Sequence, residues 1–153
     1  MLSLDHKIPP PVIALICAAL AWILAHLTPG LSYLVPARIP IIVLLVLIGL
    51  ALDISGLMSF RKAKTTFNPL APGRSKSIVQ NGPYQFTRNP MYLGMVFNLL
   101  GLCVYFENPL TLVAVVVFVA YITRFQIIPE ERILLAKFGD SYAQYTRSVR
   151  RWL

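Results

Sequence analysis

Read as a string of apolar and polar positions, the chain alternates long apolar runs with short polar punctuation. The first run, Val12 to Leu27, follows Pro9-Pro10-Pro11. Proline costs a helix nothing in its first turn, where the missing N–H would have been unpaired anyway. Thr28-Pro29-Gly30 breaks this run, and a linker holding Arg38 and Pro40 leads into a second, Ile39 to about Met58, whose core Ile41–Leu52 carries no charge. A third run opens at Met91 and continues to about Phe106. After Glu107-Asn108-Pro109 a fourth extends from Leu110 to about Ile128. A bilayer core about 30 Å thick takes roughly 20 helical residues to cross. The pattern therefore predicts an all-α, polytopic membrane helix bundle forming one domain over 1–153, with about four transmembrane helices at 12–27, 39–58, 91–106 and 110–128. A cleaved signal peptide is the competing reading of the first run. The further spans, and the lack of a small-x-small cleavage site, argue against it.

Two segments depart from this alternation. Residues 61–90 are basic and rich in Pro, Gly, Ser and Asn, which is unsuitable for crossing lipid because unpaired backbone groups cannot face hydrocarbon. A structured loop in water or at the interface is expected there. Residues 130–153 place Leu134, Phe138, Tyr142, Tyr145, Val149 and Trp152 at spacings of three and four, the period of amphipathic helices. Gly139 is expected to end the first of two such helices, and Asp140 or Ser141 to cap the second. With Arg150, Arg151 and Trp152 at its end, this cap suits the membrane surface, either as part of a site or as a plain anchor.

Composition agrees with a membrane protein and narrows the function. Of 153 residues, 57% are hydrophobic and 13% charged, and the mean hydropathy is +0.68, far from an ordinary soluble domain. A net charge of +8 could suggest nucleic acid, but a nucleic-acid binder gathers its charge on a soluble polar face. Here the cations lie between and after the apolar runs. Arg61, Lys62, Lys64, Arg74, Lys76 and Arg88 precede span three, and Arg132, Lys137, Arg147, Arg150 and Arg151 follow span four, whereas the opposite loops hold Arg38 alone. The positive-inside rule then places both basic segments and both termini in the cytoplasm, with a bacterial inner membrane as the expected location. Cys17 and Cys103 lie inside apolar runs with no partner at metal-ligand spacing, so neither a disulfide nor a metal is expected. His6 and His26 read as interfacial residues. Asp53 near the end of span two is expensive in lipid unless paired, and the basic segment beyond it is the expected partner.

The chemistry is expected where two polar clusters meet on that basic side. Asn89-Pro90 is a helix start, with Asn89 as N-cap, Pro90 in the first turn and Met91, Tyr92 and Leu93 following. Read functionally, the free N–H groups and positive dipole end of that helix, beside Arg88, suit a carboxylate. Just upstream, Asn81-Gly82-Pro83-Tyr84 forms a turn in which Gly82 permits close approach and Tyr84 offers an aromatic face. Glu130-Glu131 follows Pro129 at the end of span four. Acids there are favoured by the helix dipole, yet adjacent carboxylates point in different directions, so one can turn to a ligand amine or ribose hydroxyl. Gly94, Asn98, Gly101 and Tyr105 mark one face of span three, where small residues point to close helix packing more than to a tunnel.

The run Gly82-Pro83-Tyr84, then Arg88-Asn89-Pro90-Met91-Tyr92-Leu93-Gly94, then Glu130-Glu131 with Leu134, Phe138-Gly139, Tyr142 and Tyr145 resembles the isoprenylcysteine carboxyl methyltransferase and phospholipid methyltransferase superfamily of integral membrane enzymes. The resemblance covers roughly the C-terminal half. It implies methyl transfer from S-adenosylmethionine to a lipid or lipophilic small molecule, among membrane lipids, with the cofactor site on the cytoplasmic face. It also implies a cofactor site from Lys76, Ile78 and Val79, Gly82 and Tyr84, Asn89, Pro90, Met91 and Tyr92, and Glu130. Arg88 and Glu131 are the catalytic candidates, Glu131 as a base should the acceptor be an amine. Asn89 stands where the eukaryotic prenylcysteine enzymes carry His. Their substrate-contacting Arg falls close to Gln126, with Arg124 half a turn away as the candidate substrate residue. The competing functions are an NADPH-dependent membrane reductase of the sterol reductase type, its cofactor phosphate held by the basic loop 61–76, and a noncatalytic membrane scaffold.

Overall fold

The computed structural model describes residues 5–64, 73 and 77–153. Six α-helices follow in order: α1 (Pro10–Leu27), α2 (Arg38–Lys62), α3 (Pro90–Phe106), α4 (Leu112–Ile122), α5 (Ile128–Phe138) and α6 (Asp140–Ser148). One π-helical turn, Thr123–Ile127, joins α4 to α5, so that Pro109–Phe138 forms one continuous helical unit of 30 residues. By length and composition three helices can cross a membrane: α1, α2 and this long unit. The fourth apolar helix, α3, is shorter. These elements make the protein a helical membrane bundle. Its apolar side chains face outward as well as inward: Leu15, Leu44, Leu47, Ile54 and Val116 are all more than half exposed, as hydrocarbon requires.

Helices α2 and α3 pack antiparallel along a seam of glycines. A Cβ on Gly49 would meet the Gly94 carbonyl at 2.8 Å, and one on Gly94 would meet the Gly49 carbonyl at 2.7 Å. At one end Gly56 abuts Met91, and at the other Gly101 lies against Leu45 and Val46. Close backbone approach of this kind is how helices associate where apolar burial offers no driving force. The face bearing Gly94, Asn98 and Gly101 is thus a packing face. Asp53 departs from its expected pairing with the basic segment: its carboxylate is wedged against Gly94, and its Oδ1 has no hydrogen-bond partner among the described residues.

The second departure is at Pro129, expected to open a separate helix. Proline lacks an N–H and its ring crowds the carbonyl four residues back, here Phe125. Instead of stopping, the helix widens by one π turn, in which the Ile128 N–H reaches the Thr123 carbonyl. The freed Phe125 carbonyl accepts from the His6 N–H at 3.1 Å, so the local backbone accounting closes. Helix α2 also continues past Met58 to Lys62, because helicity persists after hydropathy has fallen.

The third departure is the C-terminal cap. Gly139, at φ 52° and ψ −128°, both ends α5 and precedes α6, with no side-chain cap from Asp140 or Ser141. Such angles are readily available only to glycine. Beyond α6 the tail folds back onto the start of α3 and the π turn. The Arg88 N–H donates to the Arg150 carbonyl at 3.0 Å, the Asn89 amide to the Arg151 carbonyl at 2.9 Å, and the Trp152 indole to Thr123 Oγ1 at 3.1 Å.

Candidate active site

A cavity of about 210 Å³ opens where the first turn of α1, the end of α2, the start of α3, and helices α5 and α6 converge. Most of the sequence-predicted cofactor residues line it: Ile78, Val79, Tyr84, Asn89, Met91, Tyr92 and Glu130, with Arg88 beside them. The two polar clusters, far apart in sequence, therefore line one cavity. Gly82 and Pro90 shape the wall without lining it. Gly82 has φ +65°, and a Cβ there would lie 2.9 Å from Ser59 Oγ, so this turn can close on α2 only as glycine. Lys76, together with Arg74 and most of the basic loop, lies outside the described residues.

Each polar group is held by a specific neighbour. Tyr92 donates its hydroxyl to Glu130 Oε2 at 3.2 Å, and the Gln126 side chain hydrogen-bonds both Glu130 and Tyr92. The π turn is what carries Gln126, 2% exposed, inward beside Glu130. Tyr84 is buried edge-on to Phe60, ring centroids 5.5 Å apart. Burial raises the Tyr84 phenol well above its ordinary range, and the nearby Glu130 charge adds to this. Its backbone carbonyl accepts from the Tyr145 hydroxyl at 2.7 Å. Burial pushes Tyr145 up to about 12, so it remains a neutral donor at any working pH and pins α6 over the turn.

Asn89 occupies the N-cap position of α3 but its side chain does not cap the helix. It turns to the Arg151 carbonyl, and the Asn89 N–H is instead satisfied by Thr87 Oγ1 at 3.2 Å. The free helix end expected from Asn89-Pro90 is thereby kept open on the cavity side.

Two predicted residues are placed elsewhere. Glu131 does not line the cavity. Its carboxylate accepts from Arg88 Nη2 at 2.9 Å and from Arg151 Nε and Nη2 at 3.1 and 2.8 Å. With both oxygens engaged by guanidinium groups, this carboxylate ties Arg88 to the C-terminal tail. Arg124, expected near a substrate, lies on the outer face, stacked over Phe125 and 4.0 Å from Asp5, with its side chain 58% exposed. Successive residues on a helix point about 100° apart, and the inward position is taken by Gln126.

Several lining residues escaped the sequence reading: Pro10 and Pro11, Phe60, Met95, and the cap residues Tyr142 and Tyr145 as site walls. The two tyrosines were legible as an amphipathic stripe. Pro10, Pro11 and Phe60 carried no local signal.

The donor set suits S-adenosylmethionine. Glu130, oriented by two neutral hydrogen-bonding groups, complements an amine. Arg88, whose buried Nε has no partner among the described residues, complements a carboxylate, and Tyr84 with Phe60 offers aromatic surface. The fold and this site define an integral membrane protein with a largely apolar cavity, carrying a few convergent polar groups, at one end of its bundle. The chain belongs to the phospholipid methyltransferase family: that family's model matches residues 38–141, more than half of the chain. Membership makes it a membrane methyltransferase in the general sense. The chain is also similar to an uncharacterized protein of Haemophilus influenzae, 43% identical over 63 residues that cover 41% of this chain and 100% of that protein. No solved structure matches the chain significantly.

Proposed function

We propose that the protein is an S-adenosylmethionine-dependent methyltransferase of the isoprenylcysteine carboxyl methyltransferase type, acting on a lipid or lipid-like acceptor at the cytoplasmic side of the membrane. The observation that carries this reading is the convergence of Tyr84, Arg88, Asn89, Tyr92 and Glu130 on one cavity. In this proposal Glu130 holds the amine of the cofactor's amino-acid end and Arg88, kept in place by Glu131, holds its carboxylate. Ile78, Val79 and Tyr84 embrace the remainder. When bound, the cofactor supplies an activated sulfonium methyl group.

What the chain itself contributes is placement and dryness. Met91, Met95, Leu134 and Pro10 give the cavity apolar walls that exclude water and match the body of an amphiphile. Holding the two reactants in line accounts for much of the acceleration such a transfer needs. The two carboxylates of the motif are committed to binding and to the arginine clamp. The site therefore favours an acceptor that needs no protein base, such as a carboxylate or thiolate.

Titration calorimetry on the detergent-purified chain tests the reading. Micromolar binding of S-adenosylmethionine, weakened roughly a hundredfold in Glu130→Ala, is expected. Binding of NADPH in its place would favour the reductase. Binding of neither would leave a scaffold. Radiolabelled methyl donor added to membranes of an overexpressing strain should then label one lipid fraction absent from the control.

A further inference from the structure

On the far side of Arg88 from the cavity a second groove, of about 490 Å³, runs between α5 and α6. Four guanidinium groups line it, those of Arg88, Arg132, Arg147 and Arg151, against the single carboxylate of Glu131. Glu131 is consumed by Arg88 and Arg151. Arg132 and Arg147 are exposed, and no carboxylate among the described residues pairs with either. The groove is also amphipathic along its length. Ile128, Arg132 and Leu135 fall at four- and three-residue spacing on one face of α5, with Leu135 49% exposed. Arg147 faces them from α6, one turn from Ala143.

The geometry points to a binding site for the headgroup of an anionic phospholipid, distinct from the methyl-transfer cavity. The unpaired guanidinium groups of Arg132 and Arg147 take the phosphate, and Ile128 and Leu135 take the first methylenes of the acyl chains. Three features select a lipid over a free anion. The groove begins where the long helical unit leaves its apolar stretch, after Ile127 and Ile128. Its charge is strongly one-signed, as at basic pockets that bind lipid headgroups beside membrane helices. Exposed leucine beside exposed arginine is wasted on an inorganic ion but matches a molecule with a charged head and an apolar body. Guanidinium geometry suits phosphate oxygens in pairs. The inference stands independently of the proposed cofactor and acceptor.

The test uses the full chain, purified and delipidated in a neutral detergent, and follows thermal unfolding while one probe is titrated. Dioctanoyl phosphatidylglycerol is expected to raise Tm saturably, with the effect weakened by salt. Dioctanoyl phosphatidylcholine, with the same chains and no net charge, and inorganic phosphate, with charge and no chains, are expected to leave Tm unchanged. In R132Q/R147Q, the apparent affinity for phosphatidylglycerol should fall at least tenfold while the lipid-free Tm and helical circular dichroism stay at wild-type values. Should the double variant unfold, R147Q alone, on the exposed face of α6, should still show a weakened response. An equal response to phosphatidylcholine, an equal response to inorganic phosphate, or a wild-type response in the variants would each overturn the site.

Discussion

The two ends of this bundle are built from the same parts and put them to different use. At one end Asn89-Pro90 opens α3 beside the pair Arg88–Glu131; at the other Asn108-Pro109 opens the long helical unit beside the pair Arg38–Glu107. Both asparagines donate a side-chain amide to a remote backbone carbonyl at 2.9 Å, Asn89 to Arg151 and Asn108 to Thr28. The difference lies in the other half of each amide. Asn108 Oδ1 accepts from the Leu110 N–H at 3.0 Å, a filled cap in a residue 2% exposed. Asn89 gives no cap, and a cavity opens at that helix end instead. Glu107 likewise closes a loop, accepting from the Val35 N–H and from Arg38. A dipeptide that reads as a motif is architecture where every group is satisfied internally, and a site where one helix end is left for a guest.

That contrast can be broken by substitution, and the largest effect is expected at the open end. Glu130→Ala should weaken S-adenosylmethionine roughly a hundredfold, about 2.8 kcal/mol, and, because it strands the buried Tyr92 hydroxyl, should also lower stability by about 1–3 kcal/mol. Unchanged affinity by calorimetry would remove Glu130 from the site. Glu131→Ala should act mainly on stability, by about 3 kcal/mol, because two arginines lose a half-buried partner. Its denaturation midpoint should drop even with no ligand present, and a purely catalytic effect would contradict the clamp described here.

The closed end should respond in stability alone. Asn108→Ala strands the Leu110 N–H and two acceptors on Thr28, a cost of about 1–3 kcal/mol, with cofactor affinity unaltered once the protein is folded. A change in affinity there would mean the ends are coupled. Smallest of all, Arg38→Ala removes an ion pair whose arginine is 45% exposed, and should shift stability by less than about 1 kcal/mol, a shift that urea titration can bound.

Much of this was legible in the chain. Apolar runs of membrane-crossing length fix helices almost independently of context, since a backbone in lipid must satisfy its own hydrogen bonds. The glycine face of α3 was readable as packing, and the turn at Gly82 as a place where glycine permits close backbone approach. The candidate cofactor residues of the Tyr84–Tyr92 segment and Glu130 came from the resemblance of their motifs to a methyltransferase superfamily; that these residues line one cavity is a matter of tertiary structure.

Other features were settled only by contacts between distant residues. Whether Pro129 ends a helix or widens it depends on a partner for the Phe125 carbonyl, and that partner, His6, lies at the other end of the chain. The π turn in turn decides that Gln126 points inward and Arg124 outward. Which of two adjacent glutamates faces the cavity is set by Arg151, on a tail that folds back over α3. Asp53 was expected beside cations, but the close glycine seam holds it against Gly94. Local sequence determines where a helix forms and which stripe is apolar; rotation about its axis, and the partner of each buried polar group, follow from packing that brings the two termini together.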